Sequence, residues 1–419
     1  METDDKAHRV LLITTHSSSE TSRDSFLEES EIRSLINTLG LIVVAHLSFT
    51  LKEENPNTYI GKGQLEEARE SALMFEADEV VIDGFISPRQ EKLMEKAIGL
   101  PISDREAIIL AIFFQNAHSR EARLQIMKAE AIYLKPRLKG REDNLSQQRG
   151  GVRGAKGEGE RQIELERRRL DERIKAIDRE ILRVKRVRET QRKSRENSRI
   201  YTFALTGYTN AGKSTILNAL TSASVLAENK LFATLDTTTR SLRLRNGQEV
   251  LLSDTVGFIR NLPHSLIDAF SSTLEQALSS DAIIIVADAS HNDAVGSLET
   301  TIETLKELNA EDKIKLLIIN KIDAYADDIS LARLRSYPYK TIETSFKDGT
   351  GIDRLLTALE EITDEDFFDT DLILPINTDM IGMLSADGYI KNIEYEEGCI
   401  KLRVHLPRLL EDKYRNYMA

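Results

Sequence analysis

Cysteine is nearly absent from this chain of 419 residues, and the single one, Cys399, has no partner for an internal disulfide. Long hydrophobic runs are missing too. AIILAIFF at Ala107 to Phe114 and AIIIVA at Ala282 to Ala287 fall well below the roughly 20 residues that a membrane-spanning helix needs, so no membrane span is expected. The start, METDDKAHRVLL, carries acid where a secretory signal would carry base. These absences exclude a disulfide scaffold and argue against export, and a cytoplasmic location is expected.

What is present is enough apolar side chain, 41% of residues, for two or three separate cores. The net charge of −12 speaks against nucleic acid as a partner, but it is unevenly spread. Lys135 to Arg199 holds 22 Lys and Arg against 12 Asp and Glu, which makes it a basic segment on an acidic protein. A solvated helix face is the plain explanation of such a run, and RNA contact is the alternative.

Pattern divides the chain into four parts. Residues 1–103 alternate short apolar runs (RVLLIT, LIVVAHLSF, EVVIDGFIS) with amphipathic stretches, as expected for a small α/β subdomain with a mainly parallel sheet. Residues 104–199 read as a helical hairpin: a helix capped by Asp104 or Ser103 runs on through Leu124, Met127, Ala131, Leu134 and Leu138. The returning helix carries Ile163, Leu170, Ile174, Ile177, Ile181 and Val184. Its tip, about 140–159, combines six glycines with Arg141, Arg149, Arg153 and Lys156, which suit a phosphate backbone approached closely, a plain mobile loop being the other reading of the same composition. Residues 200–363 alternate strand and helix in the doubly wound manner of a nucleotide-binding domain. After an acidic linker, TDEDFFDTD, residues 364–419 read as a small α+β tail with a hairpin of YIKNIEY and CIKLRVHL.

The chemistry lies in the third part. After the strand YTFAL comes Gly207-Tyr208-Thr209-Asn210-Ala211-Gly212-Lys213-Ser214, then Thr215 and a helical pattern, which fits the phosphate-loop template in its proper context. Backbone N–H groups there can surround a β-phosphate, Lys213 adds a point charge, and the Ser214 hydroxyl can ligate Mg²⁺. A strand ends in Asp254-Thr255-Val256-Gly257. Asp254 can hold a magnesium-bound water, and the Gly257 amide can sense the γ-phosphate. Between these motifs lies Phe232-Ala233-Thr234-Leu235-Asp236, where Thr234 is the chosen hydroxyl for Mg²⁺, with Thr237, Thr238 and Thr239 also open. Asn320-Lys321-Ile322-Asp323 follows an apolar strand. A carboxylate at Asp323 can accept from both donors of guanine, a pair that adenine lacks, so GTP and GDP are the expected ligands and GTP hydrolysis the expected reaction. Ser345-Phe346-Lys347 could support the base from its other side. Lys213, Thr234 and Gly257 are the catalytic candidates. Phe258 follows Gly257 where many GTPases carry a water-orienting glutamine, so turnover unaided by a partner is expected to be slow.

With these motifs, the chain resembles the HflX family of translational GTPases, in the Obg-HflX superfamily, over nearly its whole length. NPNTYIGKGQLEEA, DREAIILAIF, SREARLQIMKAEAIYLKPRL, RGGVRGAKGEGERQIELERRR and LFATLDTTTR carry the likeness. The resemblance implies nucleotide and metal sites at Gly207 to Ser214, Phe232 to Asp236, Asp254 to Gly257 and Asn320 to Asp323. It also implies binding to the large ribosomal subunit and its RNA through the hairpin tip, and GTP-favoured splitting or rescue of ribosomes; separately, a monomer is expected. A GTP-timed assembly or regulatory RNA-binding factor without splitting is the alternative. The chain departs from the family at Thr237, where proline is usual, and at Phe346, where alanine is usual. Ile60-Gly61-Lys62-Gly63 is too short a glycine signal for a second phosphate loop, so no ATP site is expected.

Overall fold

The computed structural model describes residues 7–17, 22–138, 156–198, 200–221, 231–232, 234–260, 263, 266, 278–325, 327–365, 367–376, 379–396 and 398–419. Arg141, Arg149, Arg153 and Ala233 lie outside the described residues, as does the side chain of Lys156. The chain forms two compact units. One holds Met1–Val184 with Glu228–Asp236 and Asn261–Ser271; the other holds Lys185–Ala227, Thr237–Arg260 and Ser272–Ala419.

The first unit begins with β1 (Arg9–Ser17), α1 (Ser22–Thr38), β2 (Ile42–Leu51), α2 (Lys62–Met74), β3 (Glu79–Asp83), α3 (Pro88–Ile98) and β4 (Ile102–Asp104). Its four strands pair in parallel in the order β2-β1-β3-β4. The near-continuous apolar run Val10 to Ile13 is fully buried, as parallel strands covered on both faces require. Asp104, only 1% exposed, then caps α4 (Arg105–Asn116) by accepting from Ala107 N at 2.9 Å, and it also receives Tyr133 Oη and Arg137 Nη2 at 3.0 Å each. Beside it the buried Arg105 guanidinium is held between Asp83, at 2.7 Å, and Glu31.

The long helix expected to run on from Asp104 does not. It stops at Asn116, and a new helix, α5 (Arg120–Arg137), starts after Ser119, whose hydroxyl accepts from Ala122 N at 3.1 Å as an N-cap. The apolar rhythm continues across the break because Ala117 is buried within it, so periodicity alone missed the cap. The hairpin partner is α6 (Lys156–Ser198), and Ile177 is buried on the face that its heptads predicted. Lys128 pairs with Asp178 at 2.6 Å, while Arg120–Glu180 and Lys135–Asp171 fix the antiparallel register.

The second unit contains β5 (Tyr201–Gly207), α7 (Lys213–Thr221), β6 (Thr238–Arg243), β7 (Glu249–Asp254), β8 (Ala282–Asp288), α8 (Ala294–Glu307), β9 (Ile314–Asn320), α9 (Asp328–Arg335), β10 (Lys340–Glu343) and α10 (Ile352–Glu365). The sheet order is β10-β9-β8-β5-β7-β6, parallel except for β6. β5 lies between β7 and β8, where connections leave in opposite directions, so the carboxyl ends of these strands form the crevice in which such sheets bind ligands.

The tail corrects a second expectation. FFDTD, read as part of an acidic linker, opens β11 (Phe367–Pro375), which pairs antiparallel with β13 (Cys399–Pro407). Asp369 and Asp371 point to solvent while Leu372 and Leu374 are buried, so the acids belong to the wet face of an alternating strand. β12 (Tyr389–Glu396) completes the sheet, packed with α11 (Met380–Asp387) around the fully buried Tyr414.

Candidate nucleotide site

The apolar strand β5 delivers its last residue, Gly207, into a turn that starts α7 at Lys213. Asn210 adopts a left-handed φ of 60° and Gly212 one of 97°, and a Cβ at Gly212 would run into the Asn320 amide. Glycine is therefore required there on both counts. The Lys213 side chain folds back over the loop, and its ammonium donates to the carbonyls of Tyr208 at 2.8 Å and Gly207 at 3.1 Å. Burial lowers its pKa to about 8, opposed only in part by the charge of Asp254.

Asp254 ends β7, is 1% exposed, and accepts a 2.6 Å bond from the Ser214 hydroxyl. Thr255, fully buried, donates its hydroxyl to Leu205 O at 2.7 Å and so fixes the following loop to β5. Gly257 comes so close to the phosphate loop that a Cβ would lie 2.7 Å from Thr209 Cα. Phe258 N donates to Gly207 O at 3.1 Å and Thr209 N donates to Phe258 O at 2.8 Å, which makes a short parallel bridge between the two loops. The Phe258 ring is buried, and Val256 beside it is buried too. Two residues on, Arg260 N donates to Tyr208 Oη at 3.0 Å and the Arg260 guanidinium pairs with Asp293.

On the other side of β5, Asn320 ends β9 with 3% exposure. Its amide donates to Ala211 O at 3.0 Å and its Oδ1 accepts from Thr344 Oγ1 at 3.1 Å. Lys321, with a left-handed φ of 59°, sends its ammonium to Asn210 O at 2.9 Å and to Asp288 Oδ2 at 2.7 Å. Asp323 sits exposed on the short 3-10 turn Ile322–Ala324, with Ile322 half-buried and donating its N–H to Thr344 O at 3.3 Å. Ser345 is fully buried and Phe346 packs against the core of the sheet, while the Lys347 side chain is exposed. Asp288 escaped the sequence reading, although a carboxylate closing a buried strand was a usable signal. Tyr208 as a hydrogen-bond acceptor left no signal.

In the first unit, Phe232 is buried with φ 55°, and its ring meets Phe113 edge-on at 4.6 Å. Thr234 is half-buried, Leu235 is 1% exposed, and Asp236 is held by the start of α5. In the second unit, Thr238 and Thr239 lie inside β6, where the Thr239 hydroxyl is bonded to Ser253 Oγ at 2.8 Å.

Three family models match consecutive stretches: one described as GTP-binding GTPase N-terminal over residues 28–114, one as GTP-binding GTPase Middle Region over 116–195, and one as 50S ribosome-binding GTPase over 202–321. A "GTPase HflX" of Lacrimispora saccharolytica is 39% identical over 400 residues, covering 95% of this chain and 93% of its own. One of Akkermansia muciniphila is 36% identical over 430 residues, covering 100% of this chain and 98% of its own. The chain belongs to the HflX family of GTPases. Among solved structures, one titled "crystal structure of SsGBP and GDP complex" matches with a TM-score of 0.50 at 24% identity, covering 85% of this chain and 99% of that one. That likeness concerns the fold. Among the described residues no helix is long and apolar enough to cross a membrane.

GTPases of this fold typically bind their nucleotide with Mg²⁺, and the HflX chain offers a suitable donor set. Ser214 and Asp254 present hard oxygens 2.6 Å apart at the mouth of the phosphate loop. Among the described residues there is no group of three or more His, Cys, Asp or Glu that could hold an ion alone. Ser214, with Asp254 beside it, would hold such an ion, and the nucleotide and water would supply the rest of its oxygens.

Proposed function

We propose that this HflX GTPase binds GTP with its phosphates in the loop Gly207–Thr215 and its base at Asn320–Asp323, and that it acts on the large ribosomal subunit. The bonds Asn320 to Ala211 and Lys321 to Asn210 carry the nucleotide part, because they tie the base-reading turn to the phosphate loop at fixed spacing. Lys213 would exchange its carbonyl partners for β- and γ-phosphate oxygens, Ser214 would ligate Mg²⁺, and Asp254 would orient a water on the ion. The Gly257 N–H would meet the γ-phosphate, Thr234 would close over the ion from the threonine-rich segment, and the exposed Asp323 would accept from guanine. Mg²⁺, when bound, supplies charge neutralisation between the phosphates.

The partner is supported by the model described as 50S ribosome-binding GTPase and by the basic segment Lys135 to Arg199, which spans the hairpin and its tip. Splitting or rescue of ribosomes in the cytoplasm is the finer reading. Its test is cosedimentation with purified large subunits, with and without GTP, followed by light scattering of intact ribosomes. Binding that needs GTP and a falling signal are expected. Binding without a fall would leave a GTP-timed factor that does not split, and GTP turnover indifferent to large subunits would sink the ribosomal reading altogether. Charge reversal at Arg149 and Arg153 should weaken ribosome binding and flatten its salt dependence without touching nucleotide affinity.

A further inference from the structure

Two lysines stand at the phosphate loop, and they are held in different ways. Lys213 donates to neutral carbonyls, which a phosphate can replace, whereas Lys321 is paired with a carboxylate. That carboxylate belongs to Asp288, the last residue of β8, which stands opposite Asn320 in the β8–β9 register and so lies beside the start of the base-reading turn. Its two oxygens have separate partners: Oδ1 accepts from Ser290 N at 2.9 Å and from Ser290 Oγ at 2.6 Å, and Oδ2 accepts from Lys321 Nζ at 2.7 Å. The same ammonium donates to Asn210 O at 2.9 Å. With 13% of the Asp288 side chain and 32% of the Lys321 side chain exposed, the pair is shielded from water on most sides, where screening would weaken it.

The consequence lies in the stem of Lys321. Its backbone sits in the base-reading turn, with a left-handed φ of 59°, and its ammonium lies on the phosphate loop, so its methylenes cross the interval between the two. A nucleotide with phosphates at Lys213 and its base at Asp323 must cross the same interval. A fixed stem gives the flat face of a purine an apolar surface to lie on, and a long side chain ordered before the ligand arrives loses less rotamer freedom on binding. We propose that Asp288 is a positioning residue for nucleotide binding, holding the Lys321 stem as a floor for the purine and keeping its charge off the phosphates. This rests on the reading that places the base at Asn320–Asp323. With a neutral amide at position 288, the ammonium would be drawn toward the phosphate oxygens, which attract it more strongly, and the floor would be lost.

The test is GDP and GTP affinity of the full chain, read by a fluorescent analogue, with inorganic tripolyphosphate as a competitor that has no base. The variants are Asp288→Asn, Lys321→Met, the two combined, Ser290→Ala and Asp323→Asn, each with a thermal melt. Asp288→Asn is expected to lower GDP affinity about threefold to tenfold, the range that one lost hydrogen bond sets, while tripolyphosphate binds as well as before or better. In turnover the loss falls on KM more than on kcat, since the purine is held alike in substrate and transition state. In the Lys321→Met background Asp288→Asn costs no further affinity. A merely structural role for Asp288 would weaken both ligands together and would persist in that background; either result overturns the proposal. Should Asp288→Asn melt too low to assay, Ser290→Ala, which removes one of the bonds that orient the carboxylate, carries the test. GDP affinity lost there with tripolyphosphate binding kept supports the proposal, and unchanged GDP affinity overturns it. Asp323→Asn separates the two readings: GTP affinity lost in that variant, with Asp288→Asn at wild type, overturns the proposal alone, and both at wild type overturn the base site beneath it as well.

Discussion

The amide of Asn320 donates to the carbonyl of Ala211 at 3.0 Å, across a sequence separation of 109 residues. The Asn320–Asp323 turn is tied to the loop Gly207–Ser214 by a buried bond, so the exposed Asp323 stands at a defined distance from that loop.

Asp323→Asn is therefore expected to exchange base preference with little change in fold. A neutral amide cannot accept from both guanine donors, and a lost bidentate contact of this kind costs about 1–3 kcal/mol. GTP affinity should fall roughly tenfold to a hundredfold while xanthosine triphosphate gains. Competition binding of the two nucleotides checks it, and undiminished GTP affinity would refute the assignment.

Nucleotide affinity should depend on alkaline pH through Lys213. Its pKa is depressed to about 8 by burial, and phosphate contact must raise it, so binding above pH 8 takes up a proton. Below pH 8 the ammonium is already charged and affinity is flat from this source. Above it, GDP affinity should fall by up to about tenfold per unit as far as pH 9. Titration of GDP binding at pH 7, 8 and 9 reads the slope. A flat profile would mean that Lys213 stays charged throughout.

Phe258→Gln should not create a faster enzyme. The ring is 5% exposed and both its backbone groups are bonded to the phosphate loop, so a glutamine amide there enters an apolar setting. A cost of about 1–3 kcal/mol is expected, with a lower melting temperature and kcat no higher than that of the parent chain. A rise in kcat would restore the simple view that only the side-chain type limits turnover.

Arg105→Met should be among the most destabilising changes in the first unit. It leaves Asp83 and Glu31 charged beside a site where Arg105 itself is only 2% exposed. Removing one partner of a buried ion pair costs about 3–5 kcal/mol. Urea unfolding of the variant, and of the triple variant that also carries Asp83→Asn and Glu31→Gln, separates the two effects: the triple should recover part of the loss.

The nucleotide motifs were legible because their chemistry demands particular side chains at fixed spacing after a buried strand; Gly212, Lys213 and Asn320 sit on strand ends and turns for that reason. The strands expected at Ala282 to Ala287 and Lys315 to Ile319 were legible from their apolar runs, and in the structure they span Ala282–Asp288 and Ile314–Asn320. The break at Ala117–Ser119 was not, since a helix stop made by a serine cap leaves the apolar rhythm intact. Nor was the grip of Ser119 on Asp236, which depends on two residues 117 positions apart. The strand at Phe367 was hidden because its charges drew more notice than its alternation. For Phe258 the residue type was read correctly, but its buried setting and its two backbone bonds could come only from the fold.

Those two bonds bear on timing. The pairing of Tyr208 with Phe258 is a separate bridge, three and four residues past Leu205 and Asp254, the last rung between β5 and β7, so the loops after the two strands are tied together again beyond the sheet. The amides of Thr209 and Phe258 should then exchange their hydrogens for deuterium together, as one opening event.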